Sequence, residues 1–119
     1  RVNIRNLTNG LEYRGEVEAR RQTYFVFEGK SHYFVMSLSR SKRHAGNFNV
    51  VDRAAVEYVA RKFAGRKKVT STKVAAASRK PRGIANSLEA LNVLYVLIAT
   101  NRAKIDTRFH DKQLFFNVV

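Results

Sequence analysis

The side chains at chemically useful spacings in this sequence are mostly cations. Arg79, Lys80 and Arg82 crowd around the lone Pro81 in the run Ser-Arg-Lys-Pro-Arg-Gly, and Asn86 and Ser87 follow shortly after. Arg40, Lys42 and Arg43 form a second cluster, next to His44, in a stretch with no acidic residue. Lys104, Arg108 and Lys112 are spread along the C-terminal segment. Between Ser39 and Arg82 there are 13 basic and 2 acidic residues, which is most of the formal net charge of +14. Cations at this density repel one another unless a polyanion neutralises them, so nucleic acid, an anionic membrane or an acidic protein is implied. Nucleic acid is the expected partner, with the 40–43 cluster on phosphates or in a minor groove.

Candidates for catalysis are sparse. Glu28-Gly29-Lys30 is a fragment of the acid-x-Lys pattern of metal-dependent nucleases, and it needs a second carboxylate, here Glu16 or Glu18. Ordinary hairpin chemistry explains the same triplet, so no catalytic residue is assigned and a metal-dependent nuclease stays an alternative. His32, His44 and His110 are scattered, and there is no cysteine, so disulfides and thiolate metal sites are excluded. No metal or other cofactor is called for. Tyr24, Phe25, Phe27, Tyr33 and Phe34 could stack on single-stranded bases, but they read more simply as core.

The chain of 119 residues, 45% apolar, has room for one domain or two small subdomains sharing a core. Its longest apolar run, residues 93–99, falls far short of the roughly 20 residues that span a bilayer. With no secretory signal and no cysteine, an intracellular place is expected, in cytoplasm, nucleoid or nucleus. The first residue is Arg1 rather than Met, which fits a processed product or a piece of a larger chain.

Positioning these groups requires a definite set of elements. Residues 11–21 alternate apolar and charged, which predicts a strand with one wet face. Residues 23–27 and 32–38 are aromatic and β-branched, joined by a hairpin in which Gly29 is available for positive φ. Both faces of these two strands are apolar, and the downstream helices are the expected cover. Phe48, Val50 and Val51 read as a brief strand or an extended entry, and Asp52 as the N-cap of a first helix burying Val56, Val59, Ala60 and Phe63. Gly65 ends that helix, and Val69 pins the connection to the core. Thr70 or Ser71 caps a short second helix through Ala77. Pro81 then breaks the chain and opens a third helix, with Ile84, Leu88, Leu91, Leu94, Tyr95 and Ile98 on its buried side. Asn101 suits its left-handed end, and a hairpin finishes the chain. The fold class is α+β, with residues 1–47 as a β subdomain and 48–119 as a helical unit, packed together.

The stretch from Asp52 to Val119 resembles a winged helix-turn-helix domain. Carrying the resemblance are Val74 and Ala75, the turn 78–83, then Ile84, Leu88 and Leu91, and finally the run Asn-Arg-Ala-Lys-Ile at 101–105. It implies that the antiparallel β meander read from residues 11–38 is followed by a three-helix winged helix-turn-helix with a C-terminal hairpin. It further implies double-stranded DNA as partner, with the start of the third helix in the major groove. On that pattern Arg82 would pair with guanine and Asn86 with adenine, while Ser87 and either Glu89 or Ala90 also face outward. Arg79 and Lys80 would hold phosphates, as would Lys104, Arg108 and Lys112 on the wing. The third helix is unusually apolar over residues 93–98, so only its first two turns would read DNA. Such a module would be a small transcriptional regulator or the recognition domain of a larger restriction-type nuclease. Its extra apolar face is expected to pack on the upstream sheet or on a second copy of the chain, and a homodimer or attachment to a larger chain is the expected assembly. RNA, bound by a basic ribosome-type structural protein, is the other partner expected.

Overall fold

The computed structural model describes residues 10–19, 22–38, 46–78, 84, 86–108 and 113–119. Four strands open it: β1 (Glu12–Glu18), β2 (Thr23–Glu28), β3 (His32–Leu38) and β4 (Gly46–Asp52). They form one antiparallel sheet in the order β1-β2-β3-β4. Three helices follow, α1 (Arg53–Lys62), α2 (Ser71–Ala77) and α3 (Ser87–Ala99), then a hairpin of β5 (Ala103–Ile105) and β6 (Phe116–Val118). Val69 adds a bridge on the other side of β6, pairing with Phe116, so the small sheet runs Val69-β6-β5.

Period-two alternation sorts the larger sheet. Tyr33, Val35 and Ser37 of β3 point inward, opposite Val51 of β4 and Val26 and Tyr24 of β2. On this inner face lies α3, which touches all four strands, α1, α2 and β5. Its residues Ala90 and Val93 to Leu97 are buried, so the helix is enclosed on nearly every side past its first turn. Tyr95 stacks on Tyr24 at 4.3 Å between ring centroids and meets the edge of Phe116 at 6.4 Å. Burial, reinforced by Tyr24, pushes the Tyr95 phenol well above its ordinary pKa, so it stays neutral in the core.

Local signals place most boundaries. The Thr70 hydroxyl accepts from the Lys73 backbone N–H and caps α2, and Gly65 at φ +77° ends the α1 region. Asn101 takes the left-handed conformation at φ +61° after α3. Val56, Val59 and Phe63 of α1 are fully buried, while Ala60 is half-buried. Arg53, in the first turn of α1, clamps the β2–β3 hairpin. Its guanidinium meets Glu28 at 2.7 Å and donates to the carbonyls of Gly29 (2.6 Å) and Lys30 (3.2 Å).

Several expectations change. β4 is a full seven-residue strand rather than a brief entry. Asp52 precedes α1, yet its carboxylate makes no cap and instead meets His32 Nε2 at 2.9 Å. Gly29 is not a positive-φ residue; a Cβ there would lie 3.1 Å from Leu11 and 3.2 Å from the His32 carbonyl, a tight fit that favours glycine. α3 begins at Ser87 rather than near Pro81, which leaves Ile84 buried ahead of the helix. Leu88, expected inside, is 64% exposed. The helices cover only one face of the sheet: Tyr13, Phe48 and Val50 of the outer face are exposed, while Phe34 there is buried and Phe25 and Phe27 are half-buried. No helix among the described residues is long and apolar enough to cross a membrane.

Candidate nucleic-acid interface

The start of α3 is the part of that helix open to solvent. Asn86, Ser87, Leu88 and Glu89 are exposed, and Ala90 behind them is fully buried. Ala90 therefore cannot face a ligand, and Glu89 is the outward residue of that pair. Asn86 is the N-cap: its Oδ1 accepts from the Glu89 backbone N–H at 2.9 Å. A bidentate contact to adenine would use the same carbonyl oxygen, so it competes with the cap. Ser87 follows with its side chain in solvent. Arg79, Lys80 and Arg82 lie outside the described residues, as do Arg40, Lys42, Arg43 and Lys112.

On the small sheet, Lys104 is exposed on β5, opposite Asn117 of β6. The segment on the other flank of β6 is basic. Val118 donates its N–H to the Arg66 carbonyl at 2.9 Å, and the Lys68 N–H donates to Asn117 Oδ1 at 3.2 Å. Lys68 holds a left-handed φ of 57° to do so, and its carbonyl accepts from Lys73 Nζ at 3.5 Å. Arg66, Lys67, Lys68 and Lys73 are all exposed, so a basic seam runs along β6, with Lys104 on its other side. By sequence alone residues 66–68 are a plain connection; the pairing of Val69 with Phe116 makes them the flank of a sheet. The signal was there, since an apolar Val69 behind three cations is how a short bridging strand with a wet outer side is written.

Arg108 has a second duty. Its Nε and Nη2 donate to the two Asp106 carboxylate oxygens at 2.9 and 2.7 Å, and its backbone N–H adds a third bond at 3.1 Å. Asn117 Nδ2 donates to the same carboxylate at 3.1 Å. Asp106 is buried, while the Arg108 side chain is 68% exposed. The Arg108 guanidinium first, and then the other donors, hold the Asp106 carboxyl far below the usual carboxylate range. Arg108 therefore reaches any phosphate with its charge already partly balanced.

A depressed folded-state pKa stabilises the native state above the unfolded value of about 4, and that contribution drains away as pH falls below it. Urea melts of wild type and Asp106→Asn should therefore differ most near neutral pH, with the gap shrinking steadily as pH falls below about 4. A gap that does not change with pH would contradict the role given to this carboxylate.

The described acidic residues do not gather into a catalytic set. Glu28 shares the inner register of β2 with Tyr33 and is engaged by Arg53, with Arg14 at 3.5 Å. Glu16 and Glu18 pair with Phe25 and Thr23 on the opposite face of the sheet. No group of three metal-ligating side chains occurs among the described residues. One arrangement escaped the sequence reading: Ser31 Oγ lies 2.8 Å from His32 Nδ1, whose Nε2 meets Asp52. Ser31 and Asp52 are exposed, and His32 is largely so, so the chain lacks the dry, donor-lined surroundings that acyl transfer uses. It latches β3 to β4. Comparison with known protein families, curated proteins and solved structures gave no match.

Proposed function

We propose that this chain is a double-stranded DNA-binding module of winged helix-turn-helix type, belonging to a small regulator or to the recognition part of a larger restriction-type enzyme. The observation that carries the reading is the connectivity after β4. The chain runs α1, the extended Val69, α2, α3, β5 and β6, with the small sheet ordered Val69-β6-β5. This order supports the reading because a helix-turn-helix with a wing is expected to run the same way. The net charge of +14 and the basic seam beside β6 supply the attraction for phosphates.

In this reading the first turn of α3 enters the major groove, with Ser87 at a base edge and Arg82 directed at guanine. Asn86 keeps its cap and sets the angle of the helix. Arg79 and Lys80 hold the backbone on one side. Lys104, Arg108 and Lys112 track it along the wing, with the 40–43 cluster as a further contact. The remainder of α3 is structural, because the sheet occupies the face that a longer recognition helix would offer.

Backbone binding to structured RNA is the second reading. Favouring it is the small share of α3 left open, since a seam of lysines and arginines reads charge and not sequence. Selection from a random duplex pool tests the first reading, which expects an enriched motif.

A further inference from the structure

The two edges of the four-stranded sheet are built differently. Along β1, Glu12, Arg14, Glu16 and Glu18 put charge on the strand, and Arg14 pairs with Glu28 at 3.5 Å. The β1–β2 register slips between Tyr13 and Gly15, and Gly15 bends the strand at φ +149°. Charge and a bulge are what keep an edge strand from recruiting another.

β4 has neither. Its seven residues pair with β3 without a break, from Gly46 opposite Leu38 to Asp52 opposite His32. It contains no lysine, arginine or proline, and its only charged residue is Asp52 at the end. The strand is mostly exposed, with Phe48 at 47% and Val50 at 57%, and its far side meets no other strand among the described residues. Exposed Leu88 belongs to the first turn of α3, which flanks residues 49–52 across a cleft of about 190 Å³ that Glu89 and Asn92 also line. In a chain of net charge +14, residues 46–51 are six consecutive edge residues with no charge to repel a second copy.

We infer that β4 pairs antiparallel with β4 of a second copy across a two-fold axis, joining two four-stranded sheets into one of eight. A two-fold contact presents the same strand from both sides, so one uncharged edge suffices. A register centred on Asn49 sets Phe48 of one copy opposite Val50 of the other, an aromatic and β-branched cross-strand pair. The strand is only about 23 Å long, so the contact is smaller than the roughly 800 Å² per partner of a stable complex. The dimer is therefore reversible and depends on concentration. This assembly does not depend on what the chain binds.

Sedimentation equilibrium over a concentration series tests it. Wild type should rise from the 13.6 kDa chain mass toward twice that value. Val50→Lys should weaken association at least tenfold, while Tyr13→Lys, on the equally exposed outer face of β1, should leave it unchanged. Thermal melts of both variants report that the monomer fold is retained. As a second readout, Asn49→Cys in this cysteine-free chain should oxidise to a covalent dimer faster than Glu12→Cys. A wild type that stays at monomer mass at every concentration overturns the inference. So does association that survives Val50→Lys, or equal crosslinking at the two cysteine positions.

Discussion

Replacing Arg66, Lys67, Lys68 and Lys73 together by glutamine should make DNA binding much less sensitive to salt. Each phosphate neutralised on duplex DNA contributes roughly 0.9 to the slope of log K against log salt, so four lost contacts flatten it by about 3 to 4. Between about 50 mM and about 200 mM salt, wild type would then lose about a hundredfold more affinity than the variant. All four side chains are exposed, and the hydrogen bonds that hold residues 66–69 against β6 come from the backbone, so the variant should fold normally. A titration series at several salt concentrations reads the slope directly. An unchanged slope in a variant with a native melt would remove the seam from the interface. Control substitution of Lys30, in the β2–β3 hairpin away from the seam, should leave the slope as it was.

The second large effect concerns the fold. Phe116 is fully buried and is the largest side chain so enclosed among the described residues. It closes the small sheet against Val69 and packs its ring on Tyr95 of α3, so the C-terminal hairpin, the helix and the α1–α2 connection converge on it. Phe116→Ala should cost about 3–5 kcal/mol, the lost transfer energy plus the cavity that remains. For a domain with about 5–15 kcal/mol of stability, that is a large fraction. Urea melts measure it. A loss under about 1 kcal/mol would mean that the site collapses around the gap, and that the C-terminal hairpin is not tied to the core in the way described.

How much of this was readable beforehand depended on whether a local rule or a long-range contact decided the matter. The Thr70 cap, the left-handed Asn101 and the Gly65 stop are local, and the residues themselves announce them. The start of α3 had two competing local signals. Pro81 invites a helix at its own position, but Asn86 with Glu89 three residues on is also a capping pair, and it set the boundary. β4 was underestimated because Gly46, Asn47 and Asn49 look like turn residues. Pairing with β3 outweighed their weak strand preference. Which face of the sheet the helices cover could not be read at all. Both faces of β2 and β3 are apolar in pattern, and only the docking of α3 on the inner side distinguishes them.

For the candidate site, the outward position of Lys104 was legible from period, and that of Ser87 from the helix-turn-helix resemblance. Arg108 was legible as a cation, but its pairing with Asp106 was not, because the carboxylate reads as one more polar residue in a hairpin. The seam at residues 66–68 becomes a surface only when Val69 meets Phe116, a contact across 47 residues of chain that no local rule supplies.

The central claim is recognition of duplex DNA by sequence. Its most direct measurement is selection from a random duplex pool, with structured RNA present as competitor, at two salt concentrations. The account predicts an enriched duplex motif that the chain prefers over unrelated duplexes and over the RNA, at both concentrations. A pool that yields no motif, or binding that structured RNA displaces as readily as duplex does, would contradict it.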